Sequence, residues 1–191
     1  MRGRSLLLGF TGLIPLVVMV PILLARLYAV GIVEGLVLGS GVIAYHLLRG
    51  QGVTSIDLMA IGFSTVNAAL YFGFADRIVI ANIDIAIYTL VVAMIGLSLI
   101  RRRPWTDQFA RRMVPPSVWE DPTFRTINLW TSVLWAISFG ACDTIALSTG
   151  GTLRRFAPIA LLVGTAAATP LLVRHLRARL TASSHLVAGP P

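Results

Sequence analysis

Apolar residues run along this chain in blocks separated by short clusters of charged, polar, glycine or proline residues. The blocks are about 20 residues long, which is the length a helix needs to cross the hydrocarbon core of a bilayer. Six stand out: Leu6–Leu24, Tyr28–Leu48, Ile56–Phe74, Ile78–Ile100, Ile127–Leu147 and Phe156–Arg174. The pattern predicts an all-α, polytopic membrane bundle of six transmembrane helices. The boundary between the first two is the least marked, because little more than Arg26 separates Leu24 from Tyr28, and Pro15 and Pro21 can kink or break the first helix. A cleaved signal peptide is not expected, since the apolar run after Arg2 and Arg4 is long and no small-residue cleavage site ends it cleanly.

The six blocks imply a single transmembrane domain over residues 1–181, with one long connection at 101–125. Within it Trp105, Phe109 and Met113 recur every fourth position and make one apolar helical face, while Arg111 and Arg112 point elsewhere. This reads as a short amphipathic helix lying in the membrane interface, stopped by Pro115 and Pro116 and anchoring the fourth span to the fifth. The small, polar residues of 182–191 are expected to form a disordered tail.

Composition agrees with the membrane reading. The chain is 56% hydrophobic and 13% charged, whereas a soluble domain carries about a quarter charged residues. All sixteen basic residues are Arg. With the N-terminus inside, Arg2, Arg4, Arg49, Arg101, Arg102, Arg103, Arg111, Arg112, Arg125, Arg174, Arg177 and Arg179 are cytoplasmic, and Arg26, Arg77, Arg154 and Arg155 lie outside. That bias follows the positive-inside rule and puts both termini in the cytoplasm. The net charge of +8 therefore reflects topology and contact with anionic membrane lipids, not nucleic acid. Replacement of Lys by Arg throughout is associated with high-GC genomes, hence a bacterial inner membrane. The single Cys142 cannot close an internal disulfide.

Gly31, Gly35 and Gly39 place a small residue every fourth position along the second span, which lets a neighbouring helix approach closely. Such ridges serve internal packing in most proteins and a homodimer seam in a minority. On the fifth span Asn128, Ser132, Trp135, Phe139 and Asp143 share a face, and Ser64, Asn67 and Tyr71 make a similar stripe on the third. Stripes of this kind predict a polar or wet interior.

Glu34, Asp84 and Asp143 each interrupt a span, and an acid inside a membrane is a functional hypothesis by default. At 1.5 Å rise per residue all three fall within about 6–9 Å of the outer boundary, with Arg26, Asp76, Arg77 and Asn82 around the same rim. The bland account pairs Asp84 with Arg77 and Glu34 with Arg26, and leaves Asp143 without a partner unless Arg154 or Arg155 folds back. The chemical account starts from desolvation, which disfavours the charged form of a carboxyl group: an acid that keeps its proton is a proton donor.

Several short motifs resemble the IspZ-type intracellular septation proteins and related small bacterial membrane proteins. They are Leu13-Ile14-Pro15-Leu16-Val17-Val18, Ala75-Asp76-Arg77, Arg102-Arg103-Pro104, and Trp119 through Asn128-Leu129-Trp130. The likeness covers nearly the whole chain as an architecture and implies a structural role in the envelope or division machinery. In that family the positions of Glu34 and Asp143 are not usually acidic. The placement of acids on separate helices above an apolar pocket is also similar in outline to the small integral-membrane terpene and meroterpenoid cyclases.

Other chemistries lack their residues: there is no Asp-rich diphosphate motif, no Cys or His cluster at metal-ligand spacing, no phosphate loop and no Gly-x-Ser-x-Gly. No metal or other cofactor is expected. His46, His175 and His185 read as interfacial or solvated residues, away from the acids. Three readings compete. In the first, Glu34, Asp143 and Asp84 protonate and cyclise an isoprenoid-like substrate; Trp135, Phe139, Tyr71 and Tyr88 offer ring faces to the developing cation, and Asn67, Asn82 and Asn128 line the site. In the second the chain is a non-enzymatic scaffold. In the third the acids relay protons in a small transporter, which an internal repeat would support, and none is visible.

Overall fold

A computed structural model of the chain describes Val18, Ile22, residues 27–74 and residues 82–187. Every long element among the described residues is helical: α1 (Tyr28–Leu48), α2 (Ser55–Ala68), α3 (Ile83–Ile100), the single turn α4 (Asp107–Ala110), α5 (Pro122–Ser148) and α6 (Gly151–Val187). A π-helical stretch, Ala69–Phe74, prolongs α2, and a 3₁₀ turn, Pro116–Val118, precedes α5. Five of these helices are long and apolar enough to cross a membrane. Apart from Val18 and Ile22, the sixth expected span, Leu6–Leu24, lies outside the described residues, as do Arg26, Asp76 and Arg77.

The chain divides into two compact units, Met1–Ile87 and Tyr88–Pro191, with α3 beginning in the first and ending in the second. In the first unit α1 and α2 form a hairpin. Gly31, Gly35 and Gly39 are buried, and a Cβ built on Gly35 would stand 2.3 Å from Ser64 Oγ. Gly35 faces Ser64 and Gly39 faces Ile61, so at these two positions the close approach that the ridge allows is made within the hairpin.

The turn between α1 and α2 is fixed at both ends. Gly50 takes φ +64°, Gly50 N–H donates to Leu47 O at 3.0 Å and Gln51 N–H to His46 O at 2.8 Å, the paired closure of a Schellman motif. Thr54 then caps α2: its Oγ1 accepts from Asp57 N–H at 3.3 Å, while Asp57 Oδ2 accepts from Thr54 N–H at 2.8 Å. The two bonds make a capping box.

In the second unit α5 and α6 form another hairpin, held by polar contacts instead of glycines. Thr165 Oγ1 donates to Ser138 Oγ at 2.7 Å, and the buried Cys142 Sγ donates to Pro158 O at 3.7 Å. Pro158 and Pro170 lie inside α6; proline is tolerated within such helices where neighbours re-satisfy the freed backbone. With 37 residues, α6 runs for about 55 Å, well past the expected end at Arg174 and through Ala182–Val187 of the expected tail.

The connection ahead of α5 differs from its sequence reading. Only α4 is helical in its first half, and Trp105 and Phe109 are each 6% exposed, so two of the three residues meant for the membrane interface are buried in protein. Trp105 packs edge-on against Phe109 at 5.1 Å and against Trp135 at 6.3 Å between ring centroids. Thr106 Oγ1 donates to Asn128 O at 2.9 Å and lies 2.9 Å from Ser132 Oγ. The aromatic face thus docks the connection onto α5, where Trp105 and Trp135 meet edge to face.

Candidate functional site

Glu34 lies in the second turn of α1 beside a groove whose described lining is Ala29, Val30, Val33, Val37 and Leu38. Val30 and Leu38 stand one turn to either side of it, while the glycine ridge occupies the adjoining face, so the acid borders the groove more than the helix contact. Both carboxyl oxygens are buried, and among the described residues neither has a hydrogen-bond partner. A buried polar group without a partner costs free energy, and such a group in a folded protein asks for an explanation.

Asp143 meets a different environment. Thr89 Oγ1, on α3, donates to its Oδ1 at 3.0 Å, so the partner left open in the sequence reading is a hydroxyl, not Arg154 or Arg155. Asp84 occupies the first turn of α3 and is engaged by other groups, as are Asn82 and Tyr88. Glu34 and Asp84 fall in the first unit, Asp143 in the second.

The polar stripes are occupied by packing. Asn67 Nδ2 donates to Phe63 O at 2.8 Å and Asn128 Nδ2 to Phe124 O at 2.9 Å, both within their own helices. Tyr71 packs edge-on against Phe72, centroids 5.0 Å apart. Trp135 rests between Trp105 and Phe139, the latter 5.7 Å away. On α5, Asn128, Ser132, Trp135, Phe139 and Asp143 therefore each have a protein partner, which explains why one face of an apolar helix carries polar groups without requiring a wet interior.

The residue whose place departs furthest from expectation is His46. It is 0% exposed, neither interfacial nor solvated, and its Nδ1 lies 3.1 Å from Asp57 Oδ2. Asp57 is itself 2% exposed, and its Oδ1 is buried without a hydrogen bond among the described residues. One carboxylate oxygen thus serves the α2 cap and the α1 histidine together, tying the end of one helix to the start of the next. The signal was present as Thr54-x-x-Asp57 ahead of an apolar run, with His46 in the last turn of the preceding helix. Among the described residues no group of three His, Cys, Asp or Glu side chains could hold a metal ion.

No family model, curated protein or solved structure matches this chain. What the arrangement can do is therefore read from its chemistry: Glu34 is a carboxyl group on an apolar groove without a hydrogen-bond partner among the described residues, and His46–Asp57 joins the end of α1 to the start of α2.

Proposed function

We propose that the chain is a bacterial inner-membrane protein of six transmembrane helices with both termini in the cytoplasm. Its first hairpin holds a lipid-like, isoprenoid substrate, and Glu34 supplies the proton that starts cyclisation. The topology draws on the twelve-to-four division of Arg between the two faces and on the five apolar helices. The observation that carries the chemistry is the pair of buried Glu34 oxygens, without a hydrogen-bond partner among the described residues, beside Val30, Val33 and Val37.

In this reading the Glu34 acid gives its proton to an alkene carbon or an epoxide oxygen. A neighbouring double bond of the substrate attacks the resulting cation, forming the ring, and a proton leaves the last carbocation to restore the acid. Reactant and product are isomers, so no oxidant or co-substrate is needed. Glu34 ranks ahead of Asp143 because Thr89 already occupies an Asp143 oxygen.

The test is turnover of polyprenyl alkenes and epoxides by protein in lipid nanodiscs, read as new isomers of unchanged mass. Glu34→Gln should lower turnover by about 100-fold or more with the helical content unchanged. Absence of conversion by the wild-type chain, together with a Glu34→Gln variant that still complements a deletion, would favour the septation-type scaffold instead.

A further inference from the structure

The end of α3 repeats the closure seen at the end of α1, with one difference. Arg102 N–H donates to Leu99 O at 2.9 Å and Arg103 N–H to Ser98 O at 2.9 Å, the same paired motif that Gly50 completes in the first hairpin. Here the left-handed position, φ +53°, is held by Arg102. Side chains other than glycine are disfavoured there, and a residue kept in such a conformation points to a role for its side chain.

Arg101, Arg102 and Arg103 are all exposed. In the connection that follows, Asp107 pairs with Arg111 at 2.7 Å, Glu120 pairs with Arg125, and Asp121 Oδ1 accepts from Thr123 N–H at 2.7 Å. None of the three arginines makes an ion pair among the described residues. Immediately before them α3 presents an exposed apolar stripe, Leu90 (40%), Ala93, Leu97 (47%) and Ile100 (80%), spaced by three and four residues. The stripe is about 15 Å long, which is about half the hydrocarbon thickness of a bilayer. A basic triplet therefore stands at the end of an apolar track one leaflet deep.

From this we infer that α3 carries a binding site for an anionic glycerophospholipid, its phosphate held by Arg101, Arg102 and Arg103 and one acyl chain lying along Leu90, Ala93, Leu97 and Ile100. Guanidinium groups suit a phosphate oxygen pair, and the stripe gives the chain apolar contact that an inorganic phosphate would not use. The inference rests on the chain crossing a bilayer and is independent of the chemistry of Glu34.

The experiment is competitive lipid retention. Wild-type protein and variants are reconstituted with phosphatidylglycerol and phosphatidylcholine, stripped with detergent, and their bound lipid counted by native mass spectrometry. Wild type should keep phosphatidylglycerol preferentially. At about a fivefold effect for each arginine near an anionic surface, Arg101→Gln, Arg102→Gln and Arg103→Gln together should reduce that preference about 100-fold. Arg154→Gln with Arg155→Gln, at the other end of the second unit, should leave it unchanged. Arg102→Gly guards against a folding artefact: glycine suits the left-handed position, so thermal stability in phosphatidylcholine should rise while phosphatidylglycerol retention falls. Equal retention of the two lipids by wild type, or an undiminished preference in the triple variant, would overturn the site and assign the triplet to another acidic partner.

Discussion

Glu34 in α1 and Asp143 in α5 are both acids within helices apolar enough to cross a membrane, and their surroundings differ. Asp143 accepts a hydrogen bond from Thr89 at 3.0 Å, whereas both Glu34 oxygens are buried without a donor among the described residues. Sequence position alone makes the two equivalent. The structure separates an acid that accepts from a neighbouring helix from an acid that borders an apolar groove with no donor among the described residues.

The hairpin that carries Glu34 is held at two points. It is closed by the glycine ridge at its middle and by His46–Asp57 at its turn, so breaking either should spoil the placement of the acid. The largest effect is expected from His46→Ala. Removing the buried imidazole takes from Asp57 one of the two hydrogen bonds at its Oδ2, at a cost of about 1.5–3 kcal/mol before the cavity left behind is added, and the melting temperature in detergent should fall accordingly. A melting temperature within error of wild type would mean that the pair adds nothing to the hairpin.

Gly35→Leu should come next. A Cβ alone would meet Ser64 Oγ at 2.3 Å, and a larger side chain must push α1 and α2 apart, with a loss of about 1–3 kcal/mol for overpacking. The same unfolding measurement checks it, and unchanged stability would show that the helices separate freely. Smaller still, Thr89→Val removes one hydroxyl of nearly constant volume and should cost about 1 kcal/mol. Its value lies in turning Asp143 into an acid without its donor, so that its reactivity should move toward that of Glu34.

Much of the helical layout was legible in the sequence because apolar block length maps directly onto membrane-crossing helices. Tyr28–Leu48 coincides with α1, and the glycine ridge faces a helix as its four-residue spacing demanded. Three things were not legible. The face formed by Trp105 and Phe109 has the period of an interfacial helix, but periodicity cannot say whether rings meet lipid or another helix; Trp135 decided it. His46 looked isolated because its partner lies eleven residues away across a turn, and only the Gly50 closure and the Thr54 cap bring them together. The polar stripe on α5 suggested a wet face, yet Asn128 is satisfied by its own helix, a bond that sequence spacing does not reveal.

The contrast between the two acids is tested most directly by a membrane-permeant carbodiimide, which adds to carboxyl groups in apolar surroundings to leave a stable N-acylurea, with the modified residues located by mass spectrometry of protein in native lipid. Glu34 should be modified first, Asp143 should resist until Thr89→Val removes its donor, and an isoprenoid bound in the groove should protect Glu34. Modification of Asp143 ahead of Glu34 in the wild-type chain would contradict the account.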